Sequence, residues 1–459
     1  MPAPTAKYNT LVRIIGLLGL ALMPLWLWAL LFSWEYEYSA AMVLVPLLLL
    51  VNLALLGPAA RVEPFLRTVL PVALLLKFAA ASVYLWMVFH VWTTGSDILS
   101  YWSHGEQIAR YLVDSGGWVT LQPFWSTNFI IMLTGLIFSV ITPSLPAGVI
   151  VYSMVSFWGQ YLFYRAFLIA FPKGDRRLAA VLIFLLPSIV FWTATIGKDA
   201  VICFSLGLAA YAFARLHQRV SPGAFLLLGL GMGGVTLVRP HVAAMLGIAA
   251  VLPYLLGRNR QGVAGLVGKV VGVPLLLAGC VLMATQAQAF LGMEDLSQTN
   301  QVLQRVSAGN LTGGSAFGAS QSLLVRVLNT PFLLFRPWPW EIHNLTSVIS
   351  SLEGLFLLGL FIRNRRSLYA AVRNWRSNPF VFFVVLFSLQ LAIVLSAAMS
   401  NFGLLSRERV MLLPFVMMLF CVHEARVPAS LAVPRKSGRQ PAPRPERAPA
   451  YRPTHLPAR

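Results

Sequence analysis

The sequence predicts an all-α, polytopic integral membrane protein, and three observations carry that prediction. Hydrophobic residues make up 58% of the 459 positions and charged residues only 11%, with a mean hydropathy of +0.74. A water-soluble domain needs more charge than this to cover its surface. The apolar residues also come in continuous runs, as from Ala40 to Leu56, and a helix crosses a bilayer core in about 20 such residues. Such runs do not alternate in period two, which excludes a transmembrane β-barrel.

Taken in order, apolar segments begin near Val12, Ala40, Thr68, Trp125, Pro146, Leu178, Ala200, Gly223, Val242, Gly268, Leu345, Phe380 and Val410. At bilayer length they amount to about 12 to 13. The first has Lys7 and Arg13 at its start and no small-residue cleavage site, which fits an uncleaved signal anchor. The expected organisation is N-terminal membrane helices over 1–92, a first long outer loop over 93–124 and a middle set of membrane helices over 125–285. A second long outer loop over 286–344, C-terminal membrane helices over 345–425 and a tail over 426–459 follow. Both long loops mix Trp, Phe and Arg with amphipathic patterning that suits helices lying in the membrane interface. No internal repeat stands out, which weakens a secondary transporter without excluding it.

The formal net charge is +20, yet it does not point to nucleic acid, because membrane proteins gather Lys and Arg in cytoplasmic joints. From Arg426 to Arg459 there are eight cations, eight prolines and one acid; such a tail buries no core, and a cytoplasmic anchor touching anionic membrane lipids is its expected role. Arg363 to Arg376 holds five arginines and no acid and belongs on the same side, so the C-terminus is expected in the cytoplasm. Counting back from there puts Lys173 to Arg177, His217 to Arg219 and Arg258 to Arg260 inside. Gly197 to Asp199, Arg239 to His241, Gln286 to Asn344 and Asn401 to Glu408 then fall outside. Counting forward puts Arg61 and Arg67 inside and Thr93 to Phe124 outside. The two counts require an odd number of crossings between Phe124 and Lys173, where two apolar segments lie. One of them, for instance Trp125 to Thr142 with its polar Ser126-Thr127-Asn128 start, is therefore expected to enter the membrane without crossing it. Cys203, Cys280 and Cys421 all sit in apolar segments and read as small core residues rather than as a disulfide or zinc framework.

The sharpest local pattern is Gly95-Ser96-Asp97-Ile98-Leu99-Ser100-Tyr101-Trp102-Ser103-His104-Gly105-Glu106-Gln107-Ile108-Ala109 in the first long loop. Ser96 or Asp97 in this position suits a helix N-cap, which needs no function. His104 has the chemistry of a base, but its position favours an interfacial surface histidine. An acid opening the first outer loop, Tyr101 four residues on and then Ile108-Ala109 resemble the membrane glycosyltransferases of the GT-C superfamily, among them protein O-mannosyltransferases and lipid A aminoarabinose transferases. The resemblance extends through Gly117-Trp118, the Phe138 to Pro146 hairpin, Tyr164-Arg165 to Arg177, and Leu186-Pro187 to Lys198-Asp199, and so covers about residues 70 to 215.

The resemblance implies that Asp97 is a catalytic acid/base or metal-associated carboxylate, with Asp199 as a second acid after a proline-containing span. Many members carry an acidic pair at the first position, whereas Asp97 is followed by Ile98. Glu106 stands too far along the helix to replace the missing acid, so the metal is unassigned and a divalent cation stays open as a cofactor. The resemblance further implies a lipid-linked sugar donor, a glycan, lipid or protein acceptor, and a bacterial inner membrane.

Lys198, Arg239, Arg336, Arg407 and Arg409 fall at outer ends of spans, where positive-inside bias does not place cations. With Tyr101, His241 and Glu341 they form the candidate substrate-binding set, since guanidinium forks match the oxygens of a polyprenyl phosphate or diphosphate. Local pairing with Asp199, Glu341 and Glu408, or interfacial snorkelling, accounts for the same cations without a ligand. Lys77 and Glu353 lie inside apolar segments, where an ionisable side chain needs a partner, a wet cavity or a route to the interface. Gly309 to Gly318 lacks the strand and lysine of a nucleotide loop and reads as a mobile outer loop. The alternatives to a glycosyltransferase are an O-antigen-type polymerase or ligase and a lipid-linked sugar flippase.

Overall fold

The computed structural model describes residues 38–92, 96–117, 119–256, 270, 273–293, 298–309, 323–373, 375 and 378–422. The anchor expected from Val12, the Arg258 to Arg260 joint, the stretch from Asn310 to Gly318 and the basic tail lie outside the described residues.

The secondary structure of the described residues is helical. α1 (Tyr38–Ala60) and α2 (Leu66–His90) form a first pair, followed by α3 (Asp97–Ser115). α3 buries Ile98, Tyr101, Gly105, Ile108 and Ala109 along one stripe, the three-and-four spacing of an amphipathic helix. It ends where Gly116 takes a left-handed conformation with φ 64°. α4 (Thr127–Ile141) and α5 (Leu145–Ala170) meet at a bend of 113°, at the place where the charge count needs one segment that enters without crossing. α4 packs on α3 through paired glycines. A Cβ at Gly105 would lie 2.7 Å from Thr134 Cγ2, and one at Gly135 would lie 2.5 Å from Ile108 Cγ2, the close backbone approach that small residues permit in membranes.

The apolar segment from Leu178 is two helices, α6 (Arg176–Leu185) and α7 (Pro187–Trp192). Asp175 caps the first by accepting from the Arg177 and Leu178 N–H groups at 3.2 and 3.0 Å. Pro187 ends it, because proline brings no N–H and crowds the preceding turn. α8 (Lys198–Gln218), α9 (Pro222–Val238), α10 (Pro240–Leu256) and α11 (Val273–Leu291) continue the bundle. The second long loop holds α12 (Thr299–Gly309), α13 (Leu323–Leu328) and 3-10 turns at Thr330–Phe332 and Pro339–Glu341. α14 (Leu345–Arg373), α15 (Pro379–Ala398), α16 (Phe402–Glu408), a 3-10 turn at Arg409–Met411 and α17 (Leu413–Phe420) close the described chain. The expected last span from Val410 is thus a turn followed by an eight-residue helix.

Among the described residues four helices are long and apolar enough to cross a membrane, namely α2, α8, α14 and α15, or up to five if the bent α4–α5 pair is one span. Shorter apolar helices lie at Pro46–Ala60, Pro222–Val238, Pro240–Pro253 and Leu276–Gln286. Among the described residues the apolar runs thus give both long helices and shorter ones, and Pro187 divides the run from Leu178 without making it polar. α5 and α8 approach closely at Gly159, where a Cβ would stand 2.6 Å from Phe204 Cα.

Lys77 is fully buried on α2. Its ammonium donates to the Thr193 hydroxyl and, at 3.3 Å, to the Ile189 carbonyl. The Ser156 hydroxyl donates to the Thr193 carbonyl at 2.8 Å. Lys77 is thus held inside the bundle by α7 and by Thr193 just after it, ahead of the candidate site.

Candidate functional site

The start of α3, the N-terminus of α8, the α9–α10 joint and α16 converge on one group of charges. Asp97 stands in the first turn of α3, after an N-cap at Ser96 that makes no side-chain capping bond. Asp199 occupies the corresponding turn of α8, where the helix dipole favours a carboxylate. Arg407 joins the two, donating from Nε to Asp199 Oδ2 at 2.5 Å and from Nη1 to Asp97 Oδ2 at 3.2 Å. Arg239 lies 3.5 Å from Asp199 Oδ1 and forks onto Glu408, donating from Nη2 to Oε1 at 2.7 Å and from Nη1 to Oε2.

These charges are unequally wet. The Asp97 side chain is 61% exposed, whereas those of Asp199 and Arg407 are 2% and 18% exposed. Asp97 is therefore the accessible end of a chain of charges whose other members are largely buried. The Asp199 carboxylate holds the Arg407 pKa well above its ordinary value despite burial. Burial works against the charge on Arg239, but Glu408 and Asp199 more than offset it, so its pKa is also raised. Lys198 is half-buried beside this group and feels the charges of Arg239, Asp97, Arg407 and Asp199. Among the described residues it has no carboxylate within ion-pair distance.

Tyr101, the next member of the pattern, is buried against Gly197, whose Cβ would lie 3.7 Å from Tyr101 Cε2. Burial, with a contribution from Asp97, raises its pKa, so the phenol stays neutral. The tyrosine therefore sets α3 against the entry to α8. His241 opens α10 within electrostatic reach of Arg239. His104 is exposed and faces Ser100, and Glu106 pairs with Arg110 at 2.6 Å.

Arg336 and Arg409 occupy an adjoining group. Arg409 is fully buried and donates to Glu353 Oε1 at 3.1 Å, to the Arg336 carbonyl at 2.7 Å and to Ser188 Oγ at 3.4 Å. Burial lowers its pKa, and Glu353 partly offsets this. Glu353 is held further by the Ser188 N–H and hydroxyl at 2.7 and 2.6 Å, so it is a paired acid. Arg336 Nε lies 3.1 Å from both Glu341 oxygens, and Glu341 Oε2 accepts the Trp338 N–H at 2.9 Å. Arg336 also lies over the Phe402 ring, 5.0 Å from its centroid. Arg336 and Glu341 thus clip their own loop together.

The structure brings together Asp97, Asp199, Lys198, Arg239 and Arg407, and sets Arg336, Glu341 and Arg409 in a second layer that shares the Arg407 to Arg409 turn. Reading the sequence residue by residue did not single out Ser188, nor the aromatic cluster of Tyr84, Trp92, Phe191 and Trp192. In that cluster Tyr84 lies 5.1 Å from Trp92 and 5.4 Å from Phe191, within electrostatic reach of Arg407 and Asp199. A serine after a proline and an aromatic at a helix end give no signal that would have separated them from packing.

Among the described residues no three His, Cys, Asp or Glu side chains group closely enough to hold a metal ion. Between Asp97 and Asp199 it is Arg407 that supplies the positive charge. Compared with known proteins, the chain matches no family model, no curated protein and no solved structure.

Proposed function

We propose that the chain is a polytopic membrane glycosyltransferase that moves a sugar from a polyprenyl-phosphate-linked donor to an acceptor at the outer face of the membrane. The observation that carries this reading is the unequal exposure of one charge group: a wet carboxylate, Asp97, tethered by Arg407 to a buried acid. In the proposed step Asp97 takes the proton from an acceptor hydroxyl as that oxygen attacks the anomeric carbon. The bond from the anomeric carbon to the phosphate oxygen breaks, and the polyprenyl phosphate leaves. Arg407 fixes the direction of the Asp97 carboxylate, and Asp199 and Glu408 hold Arg407 and Arg239 in place. Lys198 is the cation best able to meet the leaving phosphate, since Arg239, Arg336 and Arg409 already face Glu408, Glu341 and Glu353.

That internal pairing gives less support to an arginine-based polymerase or ligase acting on a lipid-diphosphate-linked oligosaccharide. Mass analysis of surface glycans and lipid-linked intermediates, in cells with and without the protein, tests the proposal. Under the proposal, cells without the protein lack one sugar in the product and accumulate its lipid-linked donor. An unchanged glycan, or lipid-linked sugar flux without transfer in reconstituted vesicles, contradicts it.

A further inference from the structure

The end of the bundle away from Asp97 carries charge in a different arrangement. Asp199 and Arg215 stand on the same helix, α8, about 24 Å apart at the helical rise per residue. Several joints are tied together at this end. Gln218 Nε2 donates to the Ile169 carbonyl at 3.2 Å, Asn378 Nδ2 to the Ala170 carbonyl at 3.0 Å, and the Asp175 N–H to the Cys421 carbonyl at 2.8 Å. These joints hold Lys173, Arg176, Arg177 and Arg219. Of the acids nearby, Glu63 is taken by Arg176 and Asp175 caps α6.

Two guanidiniums at this end share one aromatic ring. Arg165 of α5 lies between two tyrosines, its Cζ 5.9 Å from the Tyr161 centroid and 5.8 Å from the Tyr211 centroid, and it donates to the Tyr161 hydroxyl at 3.2 Å. Arg215, one turn beyond Tyr211, places its Cζ 5.7 Å from the same Tyr211 ring. Among the described residues neither has a carboxylate within ion-pair distance, whereas Arg239, Arg336, Arg407 and Arg409 each have one. Cations set over one ring without a counter-ion repel each other, and an anion between them removes that repulsion. Paired guanidiniums match phosphate oxygens. Arg215 lies in the last turn of a helix long and apolar enough to span a membrane, which is the depth of lipid headgroups.

We infer that Arg165 and Arg215 together bind the phosphate of an anionic lipid headgroup. The full chain, purified into nanodiscs of phosphatidylcholine with increasing phosphatidylglycerol, tests this by native mass spectrometry of the lipid retained. Wild type keeps phosphatidylglycerol in preference to phosphatidylcholine. Arg165→Gln and Arg215→Gln each weaken that retention by about 10-fold or more, the value of a charge-assisted bond. Arg165→Lys, which keeps the charge and loses the planar fork, also weakens it. Arg219→Gln, an exposed cation of the same end, leaves it at the wild-type level. Gel filtration and the thermal midpoint in phosphatidylcholine alone stay unchanged in all four variants. Equal loss in Arg219→Gln would mean diffuse attraction rather than a site and overturns the inference. Displacement of the lipid by millimolar inorganic phosphate would assign the pair to free phosphate and overturns the lipid source.

Discussion

The Nε of Arg407 donates to the Asp199 carboxylate across 2.5 Å, from residues 208 positions apart in the chain. That bond ties α16 to the N-terminus of α8 and fixes the guanidinium edge that reaches Asp97. The accessible acid of the candidate site is therefore oriented by a buried acid it does not touch. Removing Arg407 leaves the buried Asp199 carboxylate only the longer contact to Arg239, and removing Asp199 leaves Arg407 only the exposed Asp97, so either loss is more damaging than that of a surface pair.

Arg407→Ala should therefore lower stability and activity together, while Arg407→Lys should keep most of the stability. A lysine restores the charge opposite Asp199 but makes one contact where the guanidinium makes two. Thermal unfolding in detergent, read beside transfer rate, separates the two effects. Equal activity in wild type and Arg407→Lys would show that the fork has no orienting role.

The second layer predicts a coupled pair. Arg409 and Glu353 are 0% and 2% exposed, so Arg409→Met or Glu353→Gln alone should cost about 3–5 kcal/mol by stranding the partner. The double variant Arg409→Met with Glu353→Gln should recover a large part of that loss. A thermal or denaturant double-mutant cycle measures the coupling, and strictly additive losses would contradict the pairing.

Close packing of α5 on α8 makes a simpler prediction. Gly159→Ala adds a methyl group 2.6 Å from the Phe204 Cα, a backbone atom that cannot step aside. It should destabilise by about 1–3 kcal/mol through overpacking. Gly229→Ala on α9, where a Cβ meets nothing within 4 Å, should be neutral or stabilising by about 0.5–1 kcal/mol. The contrast in thermal midpoint between the two variants is the test.

Membrane topology is open to direct labelling. With Cys203, Cys280 and Cys421 replaced, a cysteine in place of the exposed His104 should react with an impermeant maleimide added outside intact cells. One in place of the exposed Tyr369 near the end of α14 should not. Reversed labelling would put Asp97 on the cytoplasmic face and remove the proposed site from the outer surface.

Much of this arrangement was legible in the sequence. The apolar runs gave the helical class, and Asp97, Asp199, Arg239 and Arg407 were singled out and converge. The pairing was harder to read, because it joins residues as far apart as Asp97 and Arg407. Nothing near either in the chain marks the other as its partner. Glu408 lies between two arginines in sequence, yet its fork comes from Arg239. The helix breaks were not legible: Pro187 divides one apolar run into two short pieces, and the segment from Val410 begins as a 3-10 turn. Hydropathy registers apolar length and is blind to such breaks.

That Asp97 is the reacting carboxylate is tested most directly by the rate of sugar transfer by Asp97→Asn. Purified wild type and variant, in nanodiscs, are supplied with a panel of polyprenyl-phosphate-linked sugars and the surface-glycan acceptor. The amide keeps the shape of the side chain but cannot take a proton, so transfer should fall by roughly 100-fold or more. Donor KM and thermal midpoint should stay close to wild type, since Asp97 is 61% exposed and Arg407 retains Asp199. Transfer by Asp97→Asn at near the wild-type rate, or no transfer by the wild type from any donor of the panel, would contradict the account.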